Sequence, residues 1–162
     1  MHPDRPRRVV VGVDGTPRTV TALRWAATEA LRRDAELHAV LAWGDTPRPA
    51  SYAPVSASSD PAECARRAQD TLSGTVREAF GGSPPVPVHE VVDDRAPVPA
   101  LLDHARGADL LVLATRSASP AAGPGSVAIS CLRQPPCPVV VLPAGTGPSL
   151  DGRSAGVTAG VS

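Results

Sequence analysis

A chain of 162 residues, 42% of them hydrophobic, has enough apolar surface for one domain of ordinary size and is incompatible with wholesale disorder. Its 16 basic and 16 acidic residues cancel, so no overall field draws it to nucleic acid or to an anionic membrane. All 16 basic residues are arginine, and the absence of lysine excludes a phosphate-loop lysine, Schiff-base catalysis and a lysine-assisted phosphoaspartate switch.

The first predicted element is a strand opening the stretch Arg8 to Gly15. Val9, Val10, Val11 and Val13 are β-branched and nearly unbroken, the pattern of a central strand covered on both faces. It runs into a turn holding Asp14 between Gly12 and Gly15, at the strand end where open α/β sheets bind ligands. Thr16-Pro17 then reads as an N-cap followed by proline at the first helical position. Val20, Leu23, Ala27, Ala30 and Leu31 supply the apolar stripe of a helix over about 17–33, with Trp25 off the stripe. Glu36 to Trp43 is apolar without helical period and reads as a second strand; His38 within it is given no role.

Gly44 to Asp60, with three prolines and four serines, is too long for an ordinary connection and is read as a lid or a mobile loop. Asp60-Pro61-Ala62-Glu63 is a capped helix start, Ala65, Ala68, Leu72, Val76 and Phe80 form that helix's core face, and Gly81-Gly82 stops it. Val86 to Val92 has strand composition but contains Pro87, which places it at an edge of the sheet. A short helix follows, with Pro97 and Pro99 in its first turn, Leu101, Leu102 and Ala105 on its apolar side and Gly107 at its end. Asp109 to Ala114 is a second buried strand. Thr115 to Pro124 is a loop of small residues opening into Gly125-Ser126-Val127 and a helix to about Arg133; Val139 to Leu142 is the last strand. The whole reads β-α-β-α-β-α-β-α-β, a three-layer α/β domain over 8–142, between a flexible N-terminus (1–7) and a disordered tail (143–162) of which eight residues are glycine or serine.

Cys64, Cys131 and Cys137 form no close pair and are read as reduced cytosolic thiols. No apolar run approaches the ~18 residues of a membrane span, and the first residues lack a signal peptide's apolar segment, so the expectation is a cytoplasmic protein with no membrane partner. No histidine adjoins a serine or cysteine in a nucleophile motif, so the reading leans away from an enzyme and assigns no catalytic residue. No metal ligands are assigned either, and Asp93-Asp94 is read as a solvated turn.

Three stretches together resemble the universal stress protein family: Val-Val-Val-Gly-Val-Asp-Gly-Thr with Ala22-Leu23-Arg24-Trp25-Ala26, then Gly107 to Leu113, then Gly125-Ser126-Val127 running to Pro136-Cys137-Pro138-Val139-Val140-Val141. The resemblance implies a Rossmann-like sheet of five parallel strands in the order 3-2-1-4-5, similar to that of adenine-nucleotide hydrolases. Asp14 and the loop after Ala114 would then face each other across one crevice. It carries nucleotide contacts onto Val13, Asp14, Ala42, Ala114, Arg116, Ser117, Gly125, Ser126 and Val127, Ala42 acting through its backbone toward adenine. The implied cofactor is ATP, with magnesium where ATP binds, and otherwise none; the choice between AMP and ATP stays open.

The family's phosphate pattern, G-x-x-G-x(9)-G-S/T, is altered here: Ala114 and Ser117 replace the two leading glycines, and only seven residues, Ala118 to Pro124, precede Gly125-Ser126. Each replacement adds a Cβ where bare backbone would approach phosphate, and Pro120 and Pro124 each remove a donor. Arg116 is a replacement attraction for phosphate. Asp14 reads equally as a turn cap, and Ser126 reads first as a helix cap unless a nucleotide is found. Two functions follow: a cytoplasmic regulatory protein that binds adenine nucleotide, or a dimeric interaction module of the same family that binds none. Both are homodimers paired through the exposed edge at 138–142, as family members commonly are, and both act on a protein partner the residues do not identify.

Overall fold

Val9, Val10 and Val11 are fully buried in strand β1 (Arg8–Gly12), and their side chains alternate between two apolar layers: Val9 and Val11 join one cluster and Val10 the other. The computed structural model describes residues 5–44, 60–115 and 125–143. After β1 come α1 (Pro17–Arg32), β2 (Glu36–Ala42), α2 (Pro61–Phe80), β3 (Val88–Asp93), α3 (Pro97–Ala105), β4 (Leu110–Ala114), α4 (Ser126–Arg133) and β5 (Val139–Leu142). All strand pairs are parallel, in the order β3-β2-β1-β4-β5, as the family resemblance implies. Helices α1 and α2 pack together on one face of the sheet, and α3 and α4 on the other.

Helix α2 and strand β3 are bounded where the sequence supplies a reason. Asp60 caps α2 by accepting from the Ala62 amide at 3.0 Å, and Gly81, at φ 61°, closes it by donating to the Arg77 carbonyl at 2.7 Å. Arg24 of α1 donates to the Ala79 and Glu78 carbonyls at 3.0 and 3.2 Å, a cation at the negative end of α2 that ties the two helices together. Pro87 lies just outside β3, where its missing N–H costs nothing and its carbonyl accepts from Leu37 at 2.9 Å. Strand β3 is an edge, as its proline predicts, and β5 is the other.

Full burial of Leu23, Leu37, Leu72 and Leu111 contributes about 2 kcal/mol each. Helix α1 approaches the sheet through Ala22, Ala26, Ala27 and Ala30, whose small side chains let its axis lie close. Leu31 differs from expectation: about 100° past Ala30 around the helix, it leaves the buried arc and points to solvent. Asp93 also differs, being buried at the end of β3 rather than solvated. Among the described residues no helix is long and apolar enough to cross a membrane. The expectations for residues 1–4, the 45–59 loop, the 116–124 loop and the 144–162 tail lie outside the described residues.

Candidate functional site

Strand order reverses between β1 and β4, and a crevice opens there at their carboxyl ends, as the connections on either side leave in opposite directions. Its empty volume, including the solvent-open mouth, is about 750 Å³. Val13 and Asp14 line it from the end of β1, Ala42 from β2, Ala114 from β4, and Gly125, Ser126 and Val127 from the start of α4. All seven described candidates therefore meet in one place. Arg116 and Ser117 lie outside the described residues.

The acidic wall is a turn built by its own sequence. One oxygen of Asp14, Oδ1, accepts from the Thr16 amide at 3.0 Å and the Thr16 hydroxyl at 2.5 Å, while Oδ2 accepts from Arg18 Nη2 at 2.6 Å. Gly15 stands between at φ 79°, and a Cβ on it would meet Thr71 Cγ2. Burial disfavours the charged carboxylate of Asp14, but the hydrogen bonds from Thr16 and Arg18 outweigh it and hold the group below the ordinary carboxylate range. With 44% of its side chain exposed, Asp14 still faces the crevice.

Across from it, Gly125 is the N-cap of α4 at φ 85°, and Ser126 is the first helical residue rather than the cap. Among the described residues no side chain caps this end; Gly125's carbonyl accepts from Ile129 at 3.0 Å. The first amides of α4 thus bring uncapped donors and a positive dipole end to the crevice. Apolar walls come from Val40, Leu101 and Leu113. Arg18 is the cation lining the crevice among the described residues. Sequence reasoning passed over it, although its place four residues after Asp14 on a helix start was a usable signal.

A second acidic group lies at the β3–α3 corner. Asp93 Oδ1 accepts from the Arg95 amide and Nε, both at 2.9 Å, and Oδ2 accepts from Arg95 Nη2 at 2.7 Å and lies 2.9 Å from His104 Nε2. The Arg95 guanidinium, more than the opposing effect of burial, holds Asp93 far below the ordinary carboxylate range. Burial raises the thiols of Cys131 and Cys137, which suits packing residues rather than nucleophiles. Finally, Glu36, His38 and His89, assigned no role from sequence, come together with ligand atoms within 4.8 Å of one another.

A family model described as the universal stress protein family matches residues 6–143. The chain is 34% identical over 149 residues to universal stress protein Rv1996 of Mycobacterium tuberculosis, covering 86% of this chain and 45% of that protein. It thus spans about half the length of the curated relatives it matches. Among solved structures, the universal stress protein from Archaeoglobus fulgidus in complex with dAMP superposes with a TM-score of 0.59 at 25% identity, covering 83% of this chain and 96% of that one. A universal stress protein in complex with cAMP gives 0.50 at 27% identity, covering 84% and 95%.

Proposed function

The chain belongs to the universal stress protein family, and from that premise we propose that it is a cytoplasmic regulatory protein whose β1/β4 crevice binds an adenine nucleotide. The observation that carries this reading is the meeting, in one crevice, of Val13, Asp14 and Ala42 with the uncapped start of α4. The relatives in complex with dAMP and cAMP support the ligand class. The residues present fit such a group. Amides of Ser126 and Val127 would hold a phosphate, with Arg18 as the nearby cation, and Val13 with the Ala42 backbone would border the base. Asp14 already uses both oxygens, so magnesium would arrive on the phosphates of ATP rather than in a protein cage.

The test is calorimetric titration of ATP, ADP and AMP, with and without magnesium, into protein stripped of nucleotide. Binding weakened by Asp14→Ala and Ser126→Ala supports the reading. Absence of heat with all three nucleotides overturns it and favours a dimeric interaction module without nucleotide. One observation favours that second reading: Asp14 already accepts three hydrogen bonds as a turn cap, from Thr16 and Arg18.

Either reading includes a homodimer through β5, an edge strand at Val139–Leu142 whose first three residues are only half-buried. Ile129 and Leu132 of α4 add exposed apolar surface on the same chain segment. Light scattering should give a dimer for the parent and a monomer or aggregate for Val140→Glu. A parent that is monomeric at all concentrations removes the dimer from both readings.

A further inference from the structure

At the opposite end of the sheet from the crevice, the strand register places three metal-ligating side chains on one face. His38 of β2 is the direct parallel partner of His89 of β3, and Glu36 precedes His38 by two residues, so all three share one side of the pleat. It is the α3 side, which also carries Val40 and Val91 in the next register pair. Helix α3 covers β1 and β2 there, while β3 lies at the sheet's edge.

From this geometry we propose that Glu36, His38 and His89 form a surface site for a borderline divalent transition-metal ion, zinc being its representative. Glu36 Oε2 lies 3.0 Å from His89 Nε2 and 3.6 Å from His38 Nε2, and the two rings have centroids 4.7 Å apart. Tetrahedral zinc with bonds of about 2.0–2.1 Å holds its ligand atoms roughly 3.3 Å from one another. The two distances bracket that value, and all three ligand atoms lie within 4.8 Å of one another, so rotation of the two histidine side chains would bring them onto one ion. Two imidazoles and one carboxylate are a donor set for zinc, nickel or copper, whereas magnesium and calcium take oxygen.

The side chains are 39%, 24% and 50% exposed for Glu36, His38 and His89, enough to admit a hydrated ion and leave water as its fourth ligand. The neighbouring cation does not occupy the carboxylate. Arg8, the register partner of Glu36, turns its guanidinium to the His104 and Arg106 carbonyls. The site is independent of nucleotide binding, since Glu36 and His38 sit at the start of β2 and the crevice is at its end.

Zinc chloride titrated calorimetrically into the full chain, in a buffer that does not chelate, tests the site. One equivalent should bind, His38→Ala and His89→Ala should each weaken it at least about tenfold, the loss that even changes in a metal's outer shell cause, and Glu36→Gln should weaken it too. Cobalt substituted for zinc should give an absorption spectrum without thiolate charge transfer, which excludes Cys64 and Cys137 as the ligands. Absence of zinc binding, binding unchanged by both histidine variants, or a thiolate band overturns the proposal. His89→Ala, half-exposed on an edge strand, keeps the test open should His38→Ala unfold.

Discussion

Two strand ends carry the same local device and use it differently. Asp14 after β1 and Asp93 at the end of β3 each accept a hydrogen bond from the amide two residues on, and each takes an arginine from the segment that follows. Asp93 is 8% exposed and is further fixed by His104 of α3, so its whole acceptor capacity is spent inside the protein. Asp14 is 44% exposed and borders the crevice. The same turn therefore serves as a structural lock where a helix covers it, and as an addressable wall where the strand order reverses.

Breaking the lock should have the largest effect. Asp93→Ala removes the buried acceptor of the exposed Arg95 side chain and of the His104 imidazole and should cost about 2 kcal/mol in urea unfolding, with the crevice's ligand affinity unchanged. Gly15→Ala should cost about 1–2 kcal/mol, because the new Cβ faces a positive φ and Thr71; a loss no larger than that of an exposed surface substitution would count against the strain. Asp14→Ala should lower stability by no more than about 1 kcal/mol, since solvent screens its pair with Arg18, yet weaken nucleotide binding about tenfold, worth roughly 1.4 kcal/mol.

Acid sharpens the contrast further. The Asp93 carboxyl is lowered on folding, so its contribution is present above the unfolded value of 3.8 and is lost as pH falls through the folded value. The stability gap between the parent and Asp93→Asn should be constant near neutrality and narrow below about pH 4. A gap that widens on acidification would contradict the lock.

The sequence was most informative where a signal is local. The valine runs of β1 and β5, Pro17 and Pro61 at helix starts, Gly81 at a helix end and Pro87 at an edge strand each act within a few residues and were legible. Strand order came through the family resemblance, since periodicity carries no information about which strands are neighbours. The crevice residues were legible by the same route, while Arg18 was missed because a helix-start arginine usually meets solvent. Asp93 was misread because Asp-Asp resembles a solvated turn, whereas the side chain is buried and meets His104, eleven positions on. The Glu36, His38 and His89 group was invisible because only the β2–β3 register joins it.

Strand β1 also joins segments of very different sequence separation. Its β2 flank is paired by residues that follow shortly, but the Arg8 amide donates to Asp109, 101 positions away, and Val9 pairs with Leu110. The half from β1 to β3 can therefore gather through shorter loops, whereas the β4–β5 half docks through a long loop closure with its larger entropy cost. The crevice lies across that seam between β1 and β4. A ligand bound there would clamp the two halves together and slow the chain's unfolding from its C-terminal side.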